Sequence, residues 1–251
     1  MRVFDYELKE TENPRIGLIA LQTDERIEQD FRRLIPRGVD LFVSRVPSGL
    51  DVTPETLQSM EAAIPAAAGL LPQSRAYGAI GYGCTSGAAQ IGASRVGDQV
   101  RSAAPVEAVS DPLSALIACC KALDLRRIAF LSPYVEAVSS RLRDALSEAG
   151  VATPVFGTFA EAEEARVVRI KPQSLVEAGS ALVADETVDA LFLSCTNLDT
   201  LDVLPELAAR TGLPVLSSNL VLAWHLCQLA DVAPAPDPAF GVLAERALQA
   251  G

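Results

Sequence analysis

Short apolar runs recur along the chain, each followed by a polar or glycine-rich turn and then by a segment of helical character. Arg15-Ile16-Gly17-Leu18-Ile19-Ala20-Leu21 reads as a buried strand. It ends in the polar Gln22-Thr23-Asp24, and Ile27 to Ile35 follows as a short helix. Val39 to Arg45 is a second strand. Thr53-Pro54-Glu55 then opens a helix, with a hydroxyl at the N-cap, proline at the first helical position and an acid in the first turn. That helix runs toward Gly69. Tyr77 to Gly81 is the third strand and Pro105 to Val109 the fourth. Asp111-Pro112 starts a helix through Leu123.

The second half follows the same rhythm. Arg127 to Leu131 is a strand, closed by Ser132-Pro133-Tyr134. A helix spans Val135 to Ala149, with Gly150 as its C-cap. Further strands are expected at Val151 to Phe156, Val188 to Leu193 and Pro214 to Ser217. Helices are expected at Gln173 to Ala184, Asn219 to Ala230 and Phe240 to Ala250. Glu161 to Arg169 carries mixed charge without a clear period. Strands alternating with helices define an α/β chain with parallel sheet. Eight such units also fit a barrel. We favour two similar doubly wound domains, each with a parallel four-stranded sheet, because one half echoes the other.

The echo is chemical. Gly81-Tyr82-Gly83-Cys84-Thr85-Ser86 follows the third strand, and Ser194-Cys195-Thr196-Asn197 follows the strand ending at Leu193. A strand that stops at a turn before a helix leaves unpaired N–H groups at the positive end of the helix dipole. An anion is favoured there, and so is a thiolate. Ligands of open parallel sheets bind at the carboxyl ends of strands, so two such sheets would place Cys84 and Cys195 at one cleft.

Composition narrows the function. The 251 residues are 49% hydrophobic, ample for a packed core. A net charge of −11 argues against nucleic acid as a partner, because phosphate binding needs a basic surface. Neither a long uncharged apolar run nor an apolar leader is visible, so no membrane association and a cytoplasmic location are expected. Five cysteines without a C-x-x-C pair, and a single histidine, argue against a disulfide framework and a zinc site. That histidine, His225, lies in an apolar helical stretch and reads as structural. So do Cys119, Cys120 and Cys227, as small buried hydrophobes.

Several segments together carry a resemblance. They are Gly81 to Gly92, Ser132-Pro133-Tyr134, Ser194 to Leu198 and Leu213 to Leu226, the last with Ser217-Ser218-Asn219 and Ala223-Trp224-His225. With them the chain resembles the Asp/Glu racemase superfamily over most of its length, from Ile16 to about Ala230. Within it the closest likeness is to maleate cis-trans isomerases and arylmalonate decarboxylases. The resemblance implies a cofactor-independent enzyme of two α/β domains with the active site between them. One domain would hold residues 1–111 plus 218–251 and the other 112–217. It implies Cys84 as nucleophile and Cys195 as the acid/base cysteine. Thr85, Ser86 and Tyr134 would hold a substrate carboxylate, with a backbone donor at Thr196. The substrate would be a small carboxylic acid and the assembly a homo-oligomer.

The pattern departs from the isomerases twice. Asp24 in Leu21-Gln22-Thr23-Asp24 stands where they carry an asparagine. They carry another in the segment matching Glu163-Glu164-Ala165-Arg166, where this chain has none. The first turn is more similar to an ectoine-utilisation subgroup. Maleate-type isomerisation is the leading expectation, with amino-acid racemisation or arylmalonate-type decarboxylation as alternatives. A two-lobed ligand-binding protein is the non-enzyme alternative. Asp24 is expected either to cap the helix near Ile27 or to select the substrate.

Overall fold

The computed structural model describes residues 1–246. Its strands are β1 (Arg15–Leu21), β2 (Asp40–Val46), β3 (Tyr77–Gly83), β4 (Val106–Ser110), β5 (Arg127–Tyr134), β6 (Ala152–Glu161), β7 (Ala190–Leu193) and β8 (Val215–Ser217). The helices are α1 (Ile27–Leu34), α2 (Pro54–Ser59), α3 (Ile64–Gly69), α4 (Thr85–Ile91), α5 (Ala93–Arg101) and α6 (Pro112–Leu123) in the first half. They continue as α7 (Glu136–Glu148), α8 (Glu164–Val167), α9 (Pro172–Val183), α10 (Leu204–Thr211) and α11 (Ser218–Leu229). The strands form two parallel four-stranded sheets rather than a barrel.

The sheet orders are β2-β1-β3-β4 and β6-β5-β7-β8, the same arrangement twice. Continuous apolar runs make these strands: β1 and β7 are buried at every residue, as parallel strands covered on both faces must be. Local signals set several helix starts. Thr53 forms a reciprocal capping box with Thr56 ahead of α2, and Pro54 takes the first helical position. Asp111 Oδ1 accepts from Leu113 N–H at 2.9 Å and Ser114 N–H at 3.0 Å to start α6. After β8 the chain returns to the first sheet, where α11 packs on β3. The contact needs Gly81: a Cβ there would lie 2.7 Å from Leu226 Cδ1.

Some expectations are corrected. The helix expected before Gly69 is broken into α2, a 3₁₀ turn (Met60–Ala63) and α3. Pro65, at the start of α3, lacks the N–H that would continue the helix from α2. The segment without a clear period contains the short α8. The closing helix expected from Phe240 is a 3₁₀ turn, Pro238–Leu243, kinked at Gly241 with φ 46°. Its expected continuation over 247–250 lies outside the described residues.

An acidic cluster ties α1 to α11. Asp30 is fully buried and accepts from Arg26 Nε at 2.7 Å and Asn219 Nδ2 at 2.8 Å. Burial pushes its carboxyl up to about 6, against the lowering by those two donors. A carboxyl whose folded pKa is raised adds stability below its unfolded pKa and loses it as pH rises through the folded value. Asp24, Asp111 and Glu164 are shifted the same way by burial. As pH falls from 7.5 to about 5.5 these carboxyls stabilise the fold, while His225, whose pKa burial lowers to about 4, acts the other way. The melting temperature of the wild type should therefore gain on that of Asp30→Asn as pH falls, by part of the roughly 3 kcal/mol that a shift from 3.8 to about 6 is worth over its full range.

Candidate active site

The repeated topology puts equivalent strand ends together. Asp24 follows β1 and Tyr134 ends β5, the second strand in each sheet order. Cys84 follows β3 and Cys195 comes two residues after β7, the third strand in each. These residues, with Thr85, Ser86 and Thr196, line one pocket between the carboxyl ends of the two sheets. All seven residues expected from the sequence are thus brought together. His225 is outside it: its Nδ1 is 2.7 Å from Ser110 Oγ, and burial lowers its pKa to about 4.

The pocket is nearly closed. About 10 Å³ is free between its side chains, on the order of one water molecule. One wall is a clasp between the loop after β2 and the segment after β6. Val52 N–H donates to Ala162 O at 3.0 Å, and Glu164 N–H donates to Leu50 O at 3.1 Å. A substrate of several atoms needs this wall to move.

Cys84 is the N-cap of α4, and its Sγ accepts from Gly87 N–H at 3.2 Å. Glycine at 87 is required by the sulfur: a Cβ would lie 2.8 Å from Cys84 Sγ and 2.9 Å from Tyr82 Oη. Gly87→Ala should displace the thiol and lower turnover roughly 10- to 100-fold. A stability loss of about 1–3 kcal/mol should accompany it, read by thermal melting.

Cys195 is held differently from the expectation. No helix starts there; α10 begins at Leu204. Cys195 adopts φ 138°, a conformation that L side chains rarely occupy. Hydrogen bonds over-determine it. Its N–H donates to Ser218 Oγ at 3.0 Å, its Sγ accepts from Asn197 N–H at 3.2 Å, and Sγ lies 2.9 Å from Tyr134 Oη. Ser218 Oγ also accepts from Thr85 Oγ1 at 2.8 Å, so one hydroxyl joins the two cysteine turns.

The expected thiolates are not favoured in the closed pocket. Burial pushes Cys84 up to about 12 and Cys195 well above its ordinary value. The nearby carboxyls of Glu164 and Asp24 add to both shifts. A helix N-terminus and one or two N–H donors do not offset the loss of water around a thiolate.

Asp24 caps a helix and also lines the pocket. Its Oδ1 accepts from Arg26 N–H and Ile27 N–H, each at 2.8 Å, which caps the entry to α1. Its Oδ2 is buried with no hydrogen-bond partner. The neighbouring Thr196 hydroxyl donates instead to Gly83 O at 3.3 Å. Burial raises the Asp24 carboxyl.

Four residues that sequence reasoning did not place in the site matter here: Glu164, Asn197, Ser218 and Asn219. Glu164 accepts from Tyr134 Oη at 2.7 Å and from Asn197 Nδ2 at 2.9 Å. Asn197 Oδ1 accepts from Glu25 N–H at 2.9 Å, which ties the β1 turn to the second half. Asn219 Nδ2 donates to Thr196 O at 2.7 Å. Signals for Asn197, Ser218 and Asn219 were present in Ser194 to Leu198 and Ser217-Ser218-Asn219, but adjacency alone did not show what they bond, and Glu164 lay in a segment without a clear period. Two carboxyls, those of Asp24 and Glu164, and no cationic side chain line the pocket. Among the described residues no cluster has the makings of a metal site, and no helix is long and apolar enough to cross a membrane.

Two parallel sheets of identical order, with a shared pocket at their carboxyl ends, define the class: the two-sheet α/β proteins that include maleate isomerases and arylmalonate decarboxylase. The structure of maleate isomerase Iso from Pseudomonas putida S16 superimposes with a TM-score of 0.79 at 21% identity, over 88% of this chain and 94% of that one. The chain belongs to the arylmalonate decarboxylase family, whose model matches residues 93–242. That match takes in Tyr134 and Cys195 and begins after Cys84. Arylmalonate decarboxylase of Bordetella bronchiseptica is 28% identical over 94% of this chain and 98% of its own. Maleate isomerase of Nocardia farcinica is 25% identical over 91% and 94%. A cysteine-to-serine variant of a Nocardia farcinica maleate cis-trans isomerase holds a covalently bound succinylcysteine intermediate; its structure matches with a TM-score of 0.75 at 22% identity, over 88% of this chain and 94% of that one.

Proposed function

We propose that the chain is a cofactor-independent isomerase of a small carboxylic acid, worked by Cys84 and Cys195. The observation that carries this is the placement of both cysteines, one from each sheet, in a single closed pocket. Two buried thiols on one small acid allow two reactions. In the first, one sulfur, ionised to the thiolate, adds to a polarised C=C and leaves an enediolate. The former double bond rotates as a single bond, and elimination of the sulfur restores it in the other geometry. In the second, one sulfur, as the thiolate, takes the proton α to a carboxylate and the other, as the thiol, gives a proton to the opposite face.

Both reactions place negative charge on a carboxylate or its enediolate. The Ser86 hydroxyl and the first N–H groups of α4 are suited to stabilise it. The Thr85 and Tyr134 hydroxyls already donate, to Ser218 and Glu164. Decarboxylation is the weaker reading, because the resemblance gives decarboxylases one cysteine where this pocket has two.

A second reading, racemisation of an amino-bearing acid, is favoured by the two carboxyls and the absence of a cationic side chain in the lining. A dianion such as maleate would enter beside two carboxyls, whereas an ammonium group would be attracted. Incubation with maleate, L-aspartate, L-glutamate, hydroxy acids and arylmalonates in deuterated water tests the proposal. Isomerised or α-deuterated product from at least one of these acids is expected. Carbon dioxide release from arylmalonates as the sole activity would replace this reading with decarboxylation.

A further inference from the structure

The hydrogen bonds around the two sulfurs are unequal. Cys84 Sγ accepts from Gly87 N–H and lies beside the Tyr82 hydroxyl, but that hydroxyl turns to Met60 Sδ at 3.8 Å, and among the described residues its hydrogen bonds reach no carboxyl. Cys195 stands at the end of a chain that reaches one. Its Sγ is 2.9 Å from Tyr134 Oη, and that hydroxyl is 2.7 Å from Glu164 Oε1. A carboxylate can only accept, so the Tyr134 proton points to Glu164. The Tyr134 oxygen then accepts from the Cys195 thiol. Asn197 fixes both ends: its Nδ2 donates to Glu164 Oε2 at 2.9 Å and its N–H to Cys195 Sγ at 3.2 Å. Glu164 also lines a second, outer groove with Thr23, Leu50 and Asp51, so one residue stands between the closed pocket and the solvent side.

We propose that Glu164, acting through Tyr134, is the base that activates Cys195 and the port through which its proton exchanges with solvent. The step balances. The Cys195 proton passes to the Tyr134 oxygen, and the Tyr134 hydroxyl proton passes to Glu164 Oε1. The sulfur keeps the electron pair, Tyr134 ends neutral and Glu164 ends as a neutral carboxyl. One negative charge moves along the chain and none is added. That matters in a buried pocket, where a thiolate formed beside an ionised carboxylate would be opposed by desolvation and by repulsion together. Run backward, the same chain returns a proton to Cys195 after it has protonated a substrate carbon. Glu164 is thus a positioning and relay residue for Cys195, while Cys84 has no such partner. The two half-sites, similar in fold, are chemically unequal.

The proposal rests on the two-cysteine reading only in taking Cys195 as a working thiol, and its test needs no turnover. The full-length protein is alkylated with iodoacetamide at pH 7.5, and labelling of Cys84 and Cys195 is followed separately by mass spectrometry. Both thiols share one pocket, so their rate ratio is independent of how often it opens. Glu164→Gln keeps an acceptor for Tyr134 and removes the base. It should slow Cys195 labelling about 10-fold or more while leaving Cys84 unchanged or faster. Tyr134→Phe should slow Cys195 similarly, and Glu164→Gln should add nothing on that background. If Glu164 were only a nearby negative charge, its removal would lower both thiol pKa values and speed both labellings. That result would overturn the proposal, as would independent effects of the two substitutions. So would a wild type in which Cys195 labels no faster than the buried Cys119. Failure of every acid in the turnover screen would count against the isomerase reading and leave this result standing.

Discussion

Cys84→Ala and Cys195→Ala should each lower turnover of whichever acid is isomerised by on the order of 10³-fold or more, the loss expected when a nucleophile or acid/base group is removed. Cys119→Ala and Cys227→Ala should stay within about two-fold of wild type, since such substitutions at sites away from the pocket act on stability. All five thiols are buried, so burial does not separate the two classes. The pocket does: Cys84 and Cys195 line it and the other three do not. Steady-state kinetics on purified variants, with melting curves to confirm folding, is the measurement. The combined Cys84→Ala/Cys195→Ala variant should be little worse than either alone, because the two groups act in one reaction. Full activity in Cys84→Ala would leave a one-cysteine proton transfer, and with it the decarboxylase reading. Retention of activity in Cys195→Ala would remove Cys195 from the chemistry and end the two-cysteine reading.

Asp24→Asn should redirect substrate preference. Asparagine keeps the acceptor that caps α1, so stability should change by less than about 1 kcal/mol. What changes is Oδ2, a buried acceptor without a partner, which becomes a donor or a neutral group. A dianionic acid should gain roughly 10-fold or more in kcat/KM, as a buried repulsion is relieved. An amino- or hydroxyl-bearing acid, if that is the natural substrate, should lose about as much. The pH dependence gives an independent check. Burial raises the Asp24 carboxyl, so the neutral form gains population as pH falls. The ratio of dianion to amino-acid turnover by wild type should therefore rise toward acid pH, a comparison in which the protonation of Glu164 cancels, and Asp24→Asn should flatten that trend. Efficient maleate turnover by wild type, unchanged by the substitution, would reduce Asp24 to a helix cap.

The family's fold was legible because its signals are local. Seven-residue apolar runs such as Arg15–Leu21 must be buried on both faces, and that demands parallel strands between helices. Asp111-Pro112 and Thr53-Pro54 carry their helix starts in the side chains themselves. The repeated Cys-Thr after an apolar run marked equivalent strand ends, and the identical sheet orders give that echo its physical meaning. The tertiary structure decided the rest. The thiols at Cys84 and Cys195 depend on water being excluded by both sheets at once, which no window of sequence contains. Asp24 could be read as a helix cap or a pocket residue, and folding made it both, one oxygen for each. Glu164 lay in a segment without a clear period, 31 residues before the cysteine it serves (195 − 164). Only the pairing of β6 and β7 on either side of β5 brings its carboxyl to Tyr134 and Asn197. Local pattern determines where a chain turns; which buried charges then face one another is set by contacts far apart in sequence.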